Sequence, residues 1–531
     1  MPAVNRWRRL SGREFAFFAF DQFLLTLREP RMGLNTLDLV VIAAYLAGVT
    51  LFGLRFRRKQ STLKGYFLAD RTIPWWAIML SIVSAETSTL TVIGVPALAY
   101  DKDFRFLQLA MGYLAGRILV TLFLLPQYFK GELATAYQLI AKRFGGRLHS
   151  LTAGVFLVTR AAAEGVRVFA VAIVIRIALG GLLSGLSDAG RDIAAIAIVT
   201  ALTVAYTFEG GMAAVIWTDV VQLSIYATGA GIAALSIAHH VPGGWETIHA
   251  VASQADKFRV FDFSWSPSAT YTLWSGVLGG ALLTTASHGT DQLIVQRLLA
   301  ARNRRDASLA LLASGVVVFA LFTLFLLIGA MLYVYYSMAP PAAAFTRSDM
   351  VFPTYVVTRM PHGISGLLIS AILAAAMSNL SAALNAMAST TTIDFYGRFF
   401  PRTTEERRVT VSRRFTIGWA VLLFALAIAA RHGGRVLEMG LSIASVAYGG
   451  LLGVFLLGVL TKTAIESGAM IGMVTGFALN VYLWLFTNVA FTWYVALGSG
   501  MTFIVGLAAS FLLGGGSDAG LRAGLRQSGE A

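Results

Sequence analysis

The chain has 531 residues, of which 57% are hydrophobic and only 13% charged. Soluble domains carry about 25% charged residues, so the composition excludes an ordinary soluble protein. The absence of cysteine excludes disulfides, thiolate metal sites and cysteine nucleophiles. The net charge of +15 falls mainly in loops, which fits the positive-inside pattern of a membrane protein rather than a nucleic-acid binder.

Residues 1–35 read as an N-terminal extension that need not be native. MPAVNRWRRLSGR is basic, and FAFFAFDQFLLTL is too short to span, so it predicts an interfacial helix. The natural start is expected at Met32, where MGLNTLDLVV leads into the first span. Apolar runs near 20 residues then predict thirteen transmembrane helices. Their approximate extents are 36–56, 74–100, 105–127, 149–180, 190–207, 213–238, 271–296, 307–337, 362–392, 412–431, 437–460, 464–486 and 489–514. The alternation over about 10 residues that marks a β-barrel is missing. RFRRKQSTLK, FKGELATAYQLIAKRFGGR, QRLLAARNRRD and YGRFFPRTTEERRVTVSRR follow the first, third, seventh and ninth spans. All four fall on one side, which is therefore cytoplasmic. The membrane core, 36–515, begins outside and ends inside, in the plasma (inner) membrane. The longest outside loop, 239–270, is expected to hold a short surface helix. Residues 516–531 form a polar cytoplasmic tail whose composition predicts disorder.

Polar groups within spans are costly, about 2.5 to 3.5 kcal/mol for an ion at mid-membrane, so each is a functional candidate. The second span contains SIVSAETSTLTVIGVP, with Glu86, six hydroxyls, Gly94 and Pro96. This reads either as an unwound middle lining a cavity or as a kinked continuous helix. The seventh span, GGALLTTASHGTDQLIVQR, has the same character. Two interrupted helices in corresponding places point to a transporter binding site. In the ninth span Ser378, Ser381 and Asn385 share a helical face, as hard oxygen ligands or as packing polars. Asp219 either completes such a site or pairs with a base. In the fourth span Glu164 can pair with Arg160 or Arg167, leaving one guanidinium able to hold a carboxylate. Arg176 is expected to snorkel, Arg117 has no evident role, and His288 reads as a hydrogen-bonded pocket residue. No HExxH, Walker loop or GxSxG occurs, so an enzyme is not expected.

The stretches SAETSTLTVIGVPALAY, YTFEGGMAAVIWTDVVQ, GTDQLIVQRLLAAR and AAAMSNLSAALNAMASTTTIDFYGR resemble the sodium:solute symporter family, over about residues 36–515. The resemblance implies an all-α polytopic fold of the five-plus-five inverted-repeat (LeuT) type, with one helix before the repeats and two after. It implies a sodium site from the carbonyls of Ser84 and Thr87, the carbonyl of Ala375, the Ser378 hydroxyl and Asn379. Asn379 stands where the family usually has a hydroxyl. A second cation in some members would use Asp219, Ser378 and Ser381, but Ala382 replaces an expected hydroxyl, so one ion is expected. Substrate contacts by the same resemblance are Glu86, Thr91, Thr284, Ser287, His288 and Gln292. Arg160 and Arg167 lie a turn either side of the position where one member of the family holds a carboxylate.

The expectation is a secondary active transporter in the lipid bilayer, coupling inward sodium flow to uptake of a small polar organic solute by alternating access. A carboxylate, amino acid or sugar acid fits best. Its partners are the solute and sodium, with no nucleic acid, and a single chain is expected to work alone. The rivals are a proton-coupled or sodium-independent carrier of the same fold, a transporter-like sensor, and a membrane enzyme. A sensor needs a large cytoplasmic catalytic domain, whereas only residues 515–531 follow the last span.

Overall fold

The computed structural model describes residues 34–57, 71–130, 136–206, 212–341, 344–400 and 402–527. Met32, the expected interfacial helix and the basic loop after the first span lie outside these residues, apart from the loop's Arg55–Arg57.

Helix α1 is Thr36–Arg57. The second span is two helices, α2 (Trp75–Glu86) and α3 (Thr89–Asp101). Helix α4 (Phe106–Leu119) continues through a π-helical turn, Val120–Leu124, to Tyr128. Next come α5 (Ala136–Phe144), α6 (Gly146–Ala178), α7 (Asp188–Tyr206), α8 (Met212–His240) and α9 (Gly244–Gln254). The seventh span is again two helices, α10 (Gly279–Gly289) and α11 (Gln292–Leu299). Then follow α12 (Arg304–Met338), α13 (Val351–Arg359), α14 (Ile364–Thr390), α15 (Glu405–Ala430) and α16 (Val436–Leu460). The last two are α17 (Glu466–Phe486) and α18 (Tyr494–Gln527).

A helix covers each segment expected from hydropathy, and α9 is the expected loop helix. Among the described residues, eight helices are long and apolar enough to cross a membrane, or nine with α2 and α3 counted together. The chain is thus an integral membrane protein. Helix α6 carries Arg160, Glu164, Arg167 and Arg176, which lower its hydropathy. Helix α18 runs on to Gln527 instead of giving way to a disordered tail at 516, with no proline in this stretch to end it.

The break in the second span is real, but it is not made by Gly94 and Pro96. Helix α3 passes through both. Chain direction changes at Thr87 (ψ 64°) and Ser88 (ψ 178°), and the two half-helices meet at 62°. The Thr87 hydroxyl donates back to the Val83 carbonyl at 2.5 Å, the local competition that ends a helix at a hydroxyl run. Gly94 serves packing instead, since a Cβ there would lie 2.6 Å from Leu437 Cβ on α16. In the seventh span the break falls at Thr290 and Asp291. Asp291 Oδ1 accepts from the Leu293 amide at 2.9 Å and so caps α11.

Two groups of helices face one another. Helices α2 and α3, α4, α10 and α12 pack together, and α6 packs with α7, α14 and α15. Helix α1 is tied to α14 through Asp38, whose Oδ1 accepts from the Gly363 amide at 2.6 Å, Ser365 Oγ at 2.9 Å and the Gly366 amide at 3.1 Å. Its Oδ2 is 2.6 Å from His362 Nδ1. One carboxylate thus caps the start of α14 and, by accepting from the Asn35 amide at 3.1 Å, the start of its own helix. Arg105, just before α4, reaches both Asp103 and, in the loop after α9, Asp262 at 2.8 Å. Hydrogen bonds from Ser264, with the Arg105 guanidinium, bring the Asp262 carboxyl down to about 2.

Replacing Asp38 with alanine leaves several donors without an acceptor, which costs about 1–3 kcal/mol for a buried group. The Asp38→Ala chain should unfold at a lower temperature in detergent. An unchanged midpoint would show that α1 is not anchored this way.

Candidate functional site

The break in the second span frees backbone groups that a continuous helix would consume. Among the described residues, no backbone amide donates to the carbonyls of Ser84 and Thr87, since Thr87 N pairs with Val83 and Thr91 N with Ser88. At the depth of a membrane such groups are tolerated where they line a cavity or bind an ion. The start of α3 likewise presents amides at Ser88–Leu90, the positive end of a helix dipole.

A cavity of about 200 Å³ lies at this break, between the two helix groups. Ala85, Glu86, Ser88, Leu90 and Thr91 form one side, with Ser287, His288 and Asp291 from the second break. Arg160, Glu164 and Arg167 of α6 face them, with Asn379 of α14 and Tyr448 of α16. Phe106, Tyr113, Leu283, Phe322 and Leu437 supply an apolar wall. Of the expected substrate contacts, Glu86, Thr91, Arg160, Arg167, Ser287 and His288 are thus brought together.

Two are not. Thr284 is 1% exposed and packs on Gly116 of α4, where a Cβ would sit 2.7 Å from Thr284 Cβ. Gln292 Oε1 accepts from the Ala136 amide at 2.7 Å, tying α11 to the start of α5. Both positions follow the helical register, which turns them away from the opening.

Charges around the cavity are balanced in sets. Glu164 lies 2.9 Å from Arg160 and also accepts from Arg167. Arg160 Nη1 is 3.9 Å from Asp291 Oδ2, which accepts from Tyr448 OH at 2.8 Å. The guanidinium left over in the fourth span is therefore balanced by Asp291, which no local spacing could reveal. Even so, Arg160 Nε, Arg167 Nε and Glu164 Oε2 are buried with no hydrogen-bond partner. Glu86 is not a free carboxylate awaiting a cationic solute. Arg117 of α4, fully buried, donates to its Oε2, and His288 Nε2 stands 3.5 Å from the same oxygen. His288 Nδ1 is 2.9 Å from Ser287 Oγ. Arg176, in the last turn of α6, is held by Asp188 and Asp192 at 2.7 and 2.5 Å.

Of the residues expected to bind sodium, Ser84 and Thr87 lie at the break and Asn379 lines the cavity beside it. Ser84 and Thr87 are buried, and Tyr226 OH lies 2.6 Å from Thr87 Oγ1. Ala375, Ser378 and Asn379 occupy one turn of the unbroken α14, with Asn379 facing the cavity. Ser378 and Asn379 make no side-chain hydrogen bond among the described residues. Unclaimed hydroxyl, amide and carbonyl oxygens suit a hard cation. The family of this chain follows from a direct comparison. Residues 66–476 match the sodium:solute symporter family. The chain belongs to that family.

The sodium/sialic acid symporter NanT of Aliivibrio fischeri is 28% identical over 482 residues, 89% of this chain and 92% of its own. Human sodium-coupled monocarboxylate transporter 2 is 25% identical, covering 84% of this chain and 72% of its own. A solved substrate-bound, outward-open Na+-coupled sialic acid symporter superposes with a TM-score of 0.75. It is 26% identical and covers 90% of this chain and 98% of that one. The symporter couples solute movement to sodium.

Within the symporter, Asp219 has the nearby base that was one of its two readings. Its Oδ2 accepts from Ser81 Oγ at 2.6 Å and Arg297 Nη2 at 3.0 Å, and Arg297 Nε also reaches Ser81 at 2.8 Å. Ser381 is buried on α14. Sequence reasoning did not single out Arg297, Tyr226 or Tyr448, and it noted Asp291 only among the polar residues of the seventh span, not as a counter-ion to Arg160. Only Asp291 carried a signal, as a helix cap directly after TASHGT.

Asp219→Asn alone should strand Arg297, and losing one member of a buried pair costs about 3–5 kcal/mol. Asp219→Asn with Arg297→Gln should recover most of the lost thermal stability. No recovery in the double variant would mean that Asp219 serves something other than this pair.

Proposed function

We propose that this sodium-coupled carrier takes up a small organic solute bearing a carboxylate, by alternating access around the cavity between the two breaks. One observation carries the reading. A small cavity meets, on one side, unclaimed carbonyls and a helix N-terminus, and on the other two arginines with unused donors. A guanidinium recognises a carboxylate bidentately, and a half-helix N-terminus favours the same charge. The relatives named above carry sialic acid and monocarboxylates, which are anions at neutral pH.

The topology proposed is thirteen spans, with α2 to α8 and α10 to α16 as two inverted five-span repeats, α1 before them and α17 and α18 after. The core starts outside and ends in the cytoplasm, in the plasma (inner) membrane. One sodium would bind between the carbonyls of Ser84 and Thr87 and the Ala375 carbonyl, Ser378 hydroxyl and Asn379 amide. Asp219 then supports α2 through Arg297 instead of holding a second ion. Thr91, Ser287 and His288 would contact the solute together with Arg160 or Arg167. Sodium orders the first break against α14 and so completes the solute site. Each inward charge gains about 2.3 kcal/mol per 100 mV, besides its concentration gradient.

The purified protein, screened by thermal shift against a panel of carboxylates, amino acids and sugars, should show a hit that strengthens with sodium. Uptake of that hit into proteoliposomes should follow a sodium gradient and not a pH gradient; the reverse result favours the proton-coupled carrier. Ser378→Ala with Asn379→Ala should abolish sodium-stimulated uptake, and undiminished uptake refutes the ion site. Arg160→Ala and Arg167→Ala should raise KM for anionic solutes about tenfold or more, as expected for a lost charged hydrogen bond of about 1.5–3 kcal/mol. If neither does, carboxylate capture by α6 is wrong.

A further inference from the structure

Four spans meet at one guanidinium. Arg117 of α4 is completely buried. Its Nη2 donates to the carboxylate of Glu86, the last residue of α2, and lies 3.3 Å from Nε2 of His288, in the last turn of α10. Its Nε donates to Ser314 Oγ of α12 at 3.1 Å, and its Nη1 to the Tyr113 carbonyl of its own helix at 3.1 Å. Gly315 makes the room, because a Cβ there would stand 2.8 Å from Arg117 Cδ.

The backbones around this point are in contact. A Cβ on Gly112 or Gly116 of α4 would lie 2.6 or 2.4 Å from the carbonyl oxygens of Gly276 or Ala281. On the other side a Cβ on Gly280 would lie 2.6 Å from the Leu109 carbonyl. Gly112 and Gly116, and Gly276 and Gly280, are each four apart, the spacing that lets two membrane helices touch along their backbones. Among the described residues, every hydrogen bond from Arg117 stays within these four spans. The α6 arginines across the cavity take no part.

We propose that Arg117 is a positioning residue for coupling. It ties the end of the first break, at Glu86, to the end of the second, at His288, so that ordering one orders the other. The physical reason is twofold. A guanidinium presents five donors in a rigid planar fork, so it sets the relative placement of its acceptors, which a lysine ammonium cannot do. A buried carboxylate and guanidinium cannot part without leaving a bare charge, so the two ends do not move independently. Coupling between two sites needs a shared element that both bias, and this cluster is one. The inference rests on the sodium site proposed above at the first break.

The chain has no cysteine, so a single introduced one is a clean reporter. Leu293 lines the cavity just after the second break. In a Leu293→Cys background, the rate of alkylation by a small maleimide is measured in sodium chloride and in choline chloride. The melting temperature is measured in the same salts. Sodium should raise the melting temperature and change the alkylation rate about fivefold or more, the lower end of typical coupling. Adding Glu86→Gln with Arg117→Gln leaves no bare charge. In that chain sodium should still raise the melting temperature, while its effect on alkylation falls to within about twofold of none. Arg117→Lys, which keeps the charge without the fork, should behave in the same way. A full sodium effect on alkylation in these variants overturns the proposal, because the cluster would then only support packing. No sodium effect on alkylation in the Leu293→Cys chain itself, with melting still sodium-dependent, also overturns it. No sodium shift in melting in any chain overturns the ion site along with the inference.

Discussion

An ion held deep in a membrane protein must find its counter-ion inside the fold, because lipid supplies none. The architecture of this symporter around its cavity follows from that constraint. Glu86 is matched by Arg117, Asp219 by Arg297, and Glu164 with Asp291 by Arg160 and Arg167. Each set joins helices distant in sequence, so neutralising the charge also decides which spans lie side by side. A lone ion at that depth costs about 2.5 to 3.5 kcal/mol or more, enough to disfavour any arrangement that separates the partners.

The second constraint concerns the backbone. Two spans are interrupted beside the cavity, and the amides and carbonyls they release must have an occupant or water. Placing both breaks at one cavity concentrates these groups where an ion and a solute can use them. The charged sets then have different tasks. Asp219 and Arg297 brace α2 against α8 and α11, below the break. Arg117 joins the two breaks. The α6 arginines, with donors left unused, stand across the opening. A carrier needs one part that moves and one that stays, and here Arg160 reaches across the cavity from α6 to Asp291 at the second break.

Much of this was legible beforehand. Runs of apolar residues placed a helix in each expected segment, since hydropathy reports the solvent each segment meets. The hydroxyl run at 84–91 and the glycine–threonine run at 280–290 marked both broken spans, because hydroxyls compete with a helix for its own hydrogen bonds. Gly94 and Pro96, read as helix breakers beside the hydroxyl run, do not make the break, since α3 runs through both. Thr284 and Gln292 were expected at the cavity and point elsewhere, because a position near a break does not say on which side of the helix a side chain emerges.

The amino-acid sequence by itself determined that this is a helical membrane protein, where its apolar segments lie and which two of them are interrupted. These are local matters of hydropathy, propensity and spacing. Tertiary structure alone decided which charge answers which. Arg117 lies 31 residues from Glu86 and 171 from His288, and Asp219 lies 78 from Arg297. No periodicity links such positions, so the partners become known only when the helices are packed.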